Sequence, residues 1–491
     1  MKFIIYLLFF TAIQHLQAQD KAPQPYGVIP SARQLKWHEM EMYVLVHFTP
    51  TTFENKEWGY GDAKPSIFNP KQFDAGKIVK AIKAGGFKGM ILVAKHHDGF
   101  CLWPTKTTPY NISKSPWRNG KGDMVREFEQ ACRKYGLAFG VYCSPWDRNN
   151  PKYGSPAYVK TYRAQLRELY SGYGKLFMSW HDGANGGDGY YGGKRENRTI
   201  DRSVYYGWDT TWAMTRKLQH SAVIFSDMGL DIRWVGNEHG EAAETSWATF
   251  TPIPEEGKTK VGPGDMKYEN SPTGTRNGKF WMPAECDVPL RPGWFYHPEQ
   301  DDKVKTAQQL FDLYLKSVGR GAGLDLGIAP DTRGLLNTND VKALDSFGRL
   351  LSASFKTNLA KKAKITASNT RSSASSAYST ARLTDGNRYS YWCSSENIKN
   401  PELILEWDQE QVFDLIRIRE NIRLGQRIES FEVDAWINGN WTMITEATSI
   451  GNARILSVPV QKTKKLRIRI THSPVSPAIS EVGIFKKADA N

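Results

Sequence analysis

Cysteine is scarce: five occur in 491 residues, at positions 101, 132, 143, 286 and 393. Their number is odd, and their spacing matches neither a zinc site nor a small disulfide scaffold. Buried, mostly free thiols are the expectation. Long apolar runs are missing too, apart from residues 3–13 behind Lys2. That run is too short to span a bilayer. Followed by Gln17-Ala18-Gln19, a small-residue cleavage point, it reads as a secretory signal over residues 1–19. An exported chain, periplasmic or extracellular and without a membrane span, is therefore expected. No P-loop, GxSxG elbow, HxH or HExxH pattern occurs, so the usual signatures of P-loop phosphate, serine-hydrolase and zinc chemistry are absent. The net charge of +14 is spread along the chain, with no basic block of the kind that binds nucleic acid. What the chain does have is aromatic rings: 16 Trp, 22 Tyr and 22 Phe. Such rings build cores, and they also stack on the C–H faces of sugars.

Two textures divide the chain. Up to about residue 350, short apolar runs alternate with helical patterns. Strands are expected over residues 43–48, 89–94, 138–143, 176–180 and 223–226, with later ones over 280–282 and 324–328. Helices are expected over 74–83, 124–135, 157–170, 206–219 and 303–318. Continuous apolar strands alternating with helices imply a parallel sheet covered on both faces, and this many units imply an α/β fold of the (β/α)8-like TIM barrel type. The Gly/Pro/Thr-rich stretch 236–278 has no clear pattern, and eight clean units cannot be counted. Beyond about residue 355 short alternating strands replace helices, at 402–407, 413–419, 431–436, 455–460 and 465–470. With turn signals such as Asn438-Gly439-Asn440 between them, these imply a β-sandwich whose opening loops include the low-complexity stretch 366–380. The domains read as a signal peptide (1–19), a barrel (20–354) and a sandwich (355–491).

Residues capable of chemistry cluster just after the apolar runs: His47, His96-His97-Asp98, Trp146-Asp147, Trp180-His181-Asp182, and Asp227 with Arg233 and Glu238 soon after. In a barrel these strand ends converge on one face, where the active site forms. His96 and His97 are adjacent, so on a regular strand they point apart and do not share an ion unless the backbone bends. A metal-free, cofactor-free site is expected, with neutral imidazoles exchanging hydrogen bonds with hydroxyls. Residues 183–193 hold six glycines but no Lys/Ser pair for phosphate, and read as a loop over the site. Carboxylates among Trp and His are the equipment of glycoside hydrolysis, with one nucleophile or base and one acid. Asp182, Glu238 and Glu57 are candidates, and Asp98 and Asp227 compete with them on composition alone.

At these residues the chain resembles the glycoside hydrolase family 29 α-L-fucosidases, in particular the branch specific for α-1,3/1,4-linked fucose. The matching segments run in order: Val46-His47-Phe48, Glu57-Trp58-Gly59, Ala94-Lys95-His96-His97-Asp98-Gly99-Phe100, Trp180-His181-Asp182-Gly183-Ala184-Asn185-Gly186, Arg233-Trp234-Val235-Gly236-Asn237-Glu238, and Arg291-Pro292-Gly293-Trp294-Phe295-Tyr296. The resemblance implies an exo-acting, retaining enzyme on fucosylated glycans, with Asp182 as nucleophile and Glu238 as acid/base. It also implies that His47, Glu57, Trp58, His96, His97 and Trp180 hold the sugar. Tyr142 or Trp146 corresponds to a further contact, and Trp294 to an apolar wall. His181 and the long Asp182-to-Glu238 spacing, with extra residues around 190–202, depart from the pattern. The C-terminal region, with Thr384-Asp385-Gly386, Tyr391-Trp392 and residues 480–485, resembles a discoidin-like (F5/8 type C) sandwich, expected to cap the barrel. A non-catalytic sugar-binding protein and a hydrolase of another sugar are the alternatives, and the oligomeric state is left open.

Overall fold

A computed structural model describes residues 21–372 and 376–489. The expected signal segment lies outside the described residues, as do residues 373–375 of the low-complexity stretch. Eight parallel strands close into a barrel: β1 (Met42–Val46), β2 (Gly89–Lys95), β3 (Ala138–Cys143), β4 (Met178–His181), β5 (Val223–Ser226), β6 (Ile232–Trp234), β7 (Ala284–Pro289) and β8 (Gly323–Ile328). β1 pairs with both β2 and β8, which completes the ring. The strands look continuously apolar because both faces are buried. Tyr43, Leu45, Ile91, Val93, Tyr142, Met178, Trp180, Val223 and Phe225 fill the barrel. Their alternates Val44, Val46, Met90, Leu92, Val141, Cys143 and Ile224 pack outward, in the core shared with the helices.

Those helices are α1 (Ala32–Met40) beneath the barrel and, around it, α2 (Ala75–Ala84), α3 (Met124–Tyr135), α4 (Pro156–Gly172), α5 (Trp208–Leu218), α6 (Ala307–Lys316) and α7 (Thr338–Phe355). Asp74 and Asp123 cap α2 and α3 by accepting from the backbone N–H groups of Lys77 and Arg126. Two expectations need correction. Phe280–Trp281 is not a barrel strand: it pairs antiparallel with Thr249–Phe250 outside the ring, and the seventh barrel strand is Ala284–Pro289. The β/α alternation also fails between β5 and β7. β5 and β6 are joined by five residues without a helix, and β6 and β7 by the irregular stretch that resisted a unit count. Arg233 pins that stretch. Its buried guanidinium donates to the carbonyls of Ser271 (3.0 Å) and Met282 and lies 5.0 Å from the Phe250 ring centre. These carbonyl contacts stand in for the helix that would otherwise cover β6.

The C-terminal domain is an antiparallel sheet with its own core, including Trp392, Leu403, Leu405, Trp407, Ile416, Ile418, Phe431, Val433, Leu466 and Ile468. Two 19-residue strands, β11 (Glu402–Glu420) and β14 (Arg454–His472), each join segments that read as separate strands in sequence. Register shifts between Glu406 and Gln411 and between Phe413 and Leu415 bend the pair. β9 (Lys364–Ala367), β10 (Trp392–Cys393), β12 (Ser430–Ile437), β13 (Asn440–Thr448) and β15 (Ala478–Phe485) complete the sheet. Asn438 (φ 50°) and Gly439 (φ 80°) make the two-residue turn from β12 to β13, both in the left-handed region that such hairpins need. Leu415, Ile455 and Phe485 of this domain join the barrel's outer core. All five cysteines are buried and unpaired. Among the described residues no helix is long and apolar enough to cross a membrane.

Candidate active site

At the C-terminal ends of the barrel strands lies a cavity of about 210 Å³. Its wall is made by Leu45, His47, Trp58, His96, His97, Tyr142, Trp180, Asp182, Ala184, Phe225, Asp227, Trp234, Glu238, Asp287 and Trp294. Most of these positions follow from strand alternation. On β1, Tyr43, Leu45 and His47 step inward, and on β4 and its continuation Met178, Trp180 and Asp182 do the same. His181 points the other way, held between the Tyr162 hydroxyl and the Ser179 hydroxyl, each at 3.0 Å, and edge-on to Trp208. Its departure from the family pattern is therefore a matter of packing, away from the cavity.

The two adjacent histidines depart from simple alternation. The β2–β3 register slips between Val93 and Lys95, and the strand ends at Lys95. The slip turns Lys95 outward, where its ammonium meets Tyr158 (3.0 Å), Gln165 (2.9 Å) and Asp147 (3.5 Å). His96 and His97 then both face the cavity, with ring centres 4.1 Å apart. The backbone bends, which an unbroken strand excluded. Among the described residues, however, no three His, Cys, Asp or Glu side chains converge as metal ligands would. The histidines are neutral: burial, then neighbouring positive groups, pushes His47 and His97 down to about 3 and His96 well below its ordinary value. The Ser144 hydroxyl donates to the Trp146 carbonyl (2.8 Å), so it accepts from His97 Nδ1–H (2.7 Å). His97 Nε2 is left as an acceptor 3.7 Å from Asp182 Oδ2.

Asp182 accepts from the Tyr142 hydroxyl (2.7 Å) and from the Ala184 backbone N–H (2.7 Å). Burial raises its pKa, and these two donors oppose the rise. Glu238 rides on the loop after β6, shaped by Asn237, whose side chain accepts from His239 N–H (3.0 Å) and donates to the Glu241 carbonyl (3.0 Å). The Trp294 indole donates to Glu238 at 3.3 Å. Burial first, then the charges of Asp182 and Glu57, raise the Glu238 pKa, with the indole bond opposing. Asp227, at the end of β5, accepts from the Tyr268 hydroxyl (2.9 Å) and Gly264 N–H (3.2 Å). Burial and the Asp182 charge push its pKa up to about 7.

Not every candidate reaches the wall. Glu57 accepts from the backbone N–H groups of Trp294 and Phe295 and bonds His297 at 3.0 Å, so it shapes the turn that presents Trp294. Trp146 stands behind the wall, 5.3 Å from the His97 ring and 5.8 Å from Trp58, its indole donating to Tyr191 at 3.0 Å. Tyr191, in the stretch 190–202, thus supports the wall from behind through Trp146. Trp58 is about half exposed at the mouth. Asp98 is buried against Thr49 (2.8 Å) and Thr51 (3.2 Å), away from the cavity. Sequence reasoning missed Phe225, Trp234 and Asp287. The signal for Asp287 was present as the alternation Glu285-Cys286-Asp287, which places two acids on the inward face of one strand.

The α-L-fucosidase family model matches residues 25–354. The chain belongs to that family, glycoside hydrolase family 29. An F5/8 type C domain model matches residues 364–482 of the fucosidase. Alpha-L-fucosidase 1 of Arabidopsis thaliana is 37% identical over 491 aligned residues, spanning 98% of this chain and 93% of that protein. A putative α-L-fucosidase of Oryza sativa is 39% identical over 95% of this chain and 87% of that protein. Among solved structures, a Ruminococcus gnavus family 29 fucosidase in complex with fucose superposes with a TM-score of 0.86 at 30% identity, covering 97% of this chain and 98% of that one. A putative α-L-fucosidase from Bacteroides thetaiotaomicron gives 0.85 at 36% identity, covering 96% of this chain and all of the other.

Proposed function

We propose that this α-L-fucosidase is exported, exo-acting and retaining, and that it removes terminal α-1,3/1,4-linked fucose from oligosaccharides or glycoconjugates. The observation that carries the reading is that Asp182 and Glu238 face one cavity of single-sugar size, Asp182 accepting from two donors and Glu238 from one. Two donors support charge on Asp182, so it attacks the anomeric carbon and forms a fucosyl ester. Burial and neighbouring negative charge keep the proton on Glu238, which protonates the departing glycosidic oxygen. Glu238 then takes a proton from water as that water displaces Asp182, which returns both groups to their starting states. His47, His96 and His97 serve the sugar hydroxyls, and Leu45, Phe225 and Trp180 offer apolar surface to the 6-methyl group. The Trp180 and Phe225 rings stack at 4.2 Å, which makes this wall rigid.

The 1,3/1,4 preference rests on the ordered segments around Asn237-Glu238 and Asp182-Gly183-Ala184-Asn185. Export rests on the apolar run behind Lys2 and is tested by sequencing the N terminus of secreted protein. Fucose release from α-1,3-, α-1,4- and α-1,2-linked fucosyl oligosaccharides tests the linkage. We expect the first two to be cleaved at least 100-fold faster than the third. Equal rates on all three would overturn the branch assignment, and no release from any would overturn the substrate.

A further inference from the structure

Strand β7 turns two acids into the barrel. Glu285 is fully committed: Trp180 Nε1 donates to one oxygen at 2.7 Å and the Tyr43 hydroxyl to the other. Asp287 sits one step higher, at the cavity wall, and is only 4% exposed. Its Oδ1 accepts from Trp234 Nε1 at 2.7 Å. Among the described residues no other side chain hydrogen-bonds this carboxyl. A buried acid with half of its bonding capacity open toward a sugar-sized cavity is costly to build unless a ligand completes it. The other acids and imidazoles of the wall have their tasks: Asp182 and Glu238 act on the glycosidic bond, Asp227 accepts from the Tyr268 hydroxyl and Gly264 N–H, and the histidines follow the ends of β1 and β2.

The geometry points to Asp287 as a further substrate-binding residue, whose open carboxyl oxygen bonds one hydroxyl of the fucose ring while the bonded one fixes Trp234. This inference rests on the fucosidase reading of the cavity. Burial above all raises its pKa well above the ordinary aspartate value, so the acid stays protonated and toward the sugar it is a donor. Asparagine can imitate that state: its oxygen accepts from the indole and its NH2 donates to the hydroxyl.

The test uses the full chain and four substrates, 4-nitrophenyl α-L-fucopyranoside and its 2-, 3- and 4-monodeoxy derivatives, on wild type, Asp287→Ala, Asp287→Asn and Trp234→Phe. On the parent substrate, Asp287→Ala is expected to lose 10–100-fold in kcat/KM and Asp287→Asn less than 10-fold. For one deoxy substrate, the penalty that wild type shows against the parent should shrink at least 10-fold in Asp287→Ala. Trp234→Phe should lower all four substrates alike. A uniform loss across the four substrates in Asp287→Ala would reduce the residue to a structural support, and wild-type kinetics would remove it from the site; either overturns the inference. If Asp287→Ala does not fold, Asp287→Asn carries the same comparison, and an equal effect on all four substrates overturns it there. Failure of the wild type to release nitrophenol from the parent substrate would instead strike the fucosidase reading itself.

Discussion

The chemistry depends on a few side chains whose charge is set by burial. Asp182→Ala should lose nearly all turnover. Glu238→Ala should slow natural glycans by about 10²–10⁴-fold, and aryl fucosides with good leaving groups far less, because those need no proton; rates on the two substrate classes check this. The pH profile follows from the same groups. Asp182 must be ionised and its pKa is raised, so the acid limb of kcat/KM should lie above the value of an ordinary aspartate. Asp227 is neutral below about pH 7 and ionises above it, adding negative charge beside Asp182. Asp227→Asn should therefore change the alkaline limb near pH 7 more than the acid limb. An unchanged alkaline limb would show that this acid does not report on the reaction. With histidines that are neutral and serve hydroxyls, activity should survive exhaustive chelation. Loss on chelation and recovery with zinc would contradict that role.

At the scale of elements, strand ends carry the site, and their legibility varies with their regularity. β1 through β5 could be read because apolar runs buried on both faces leave a plain signature, and the cluster of polar residues behind each run gave His47, His96, His97, Trp180 and Asp182. β6 was invisible because only Ile232–Trp234 form it and no helix precedes it. β7 was misplaced because Glu285 and Asp287 interrupt its apolar pattern, although they are buried acids inside a barrel. His96 and His97 both reach the cavity because a register slip breaks the alternation that would have turned them apart, and such a slip leaves no mark in the residue types. The resemblance implied that Glu57 holds the sugar, whereas in the structure it bonds backbone more than two hundred residues away, which no local pattern encodes. The end of β4 is equally specific. A Cβ on Gly183 would lie 1.6 Å from Asp227 Oδ2, so only glycine lets that carboxyl approach. Gly183→Ala should cost at least about 100-fold in kcat/KM, the order expected when reacting groups shift by an ångström. A circular-dichroism spectrum like that of the wild type would show that the loss is local.

For the whole molecule, barrel and sandwich share core and charge. Glu41, at the end of α1, is mostly buried between Arg419 (2.8 Å) and Arg388, two residues of the C-terminal domain, which hold its carboxyl down at about 2 against the opposing effect of burial. Gln426 donates to the Ser246 carbonyl (3.0 Å) and accepts from Ala248 N–H (2.9 Å), and the Phe355 and Phe485 rings meet edge-on at 5.0 Å. These contacts pack the C-terminal domain onto the barrel, as a structural cap requires. Glu41→Ala should lower stability by about 1–3 kcal/mol in urea unfolding, since it takes the acid from Arg388 and leaves Arg419 with Glu481 alone. A chain ended near Ala353 should aggregate. The pH dependence of stability has two opposing parts. His38, His47, His97 and His181 titrate near 3 when folded and near ~6.5 when unfolded, so their effect raises stability as pH climbs from about 3 to 6.5. Asp98 at about 6, and Asp227, Glu285 and Glu420 at about 7, hold protons that the unfolded chain loses near ~4, so their effect lowers stability as pH climbs from about 4 to 7. Melting temperatures should form a plateau between about pH 4.5 and 6.5 and fall steeply below pH 4, where the histidines and Glu41 act in the same sense. The most direct measurement of how the enzyme works is to trap the intermediate with 2-deoxy-2-fluoro-α-L-fucosyl fluoride and to map the label by peptide mass spectrometry. One fucosyl group per chain, on the peptide carrying Asp182 and absent from Asp182→Ala, is the expected result. A label on any other carboxylate, or full turnover of the natural substrate with inversion at the anomeric carbon, would contradict it.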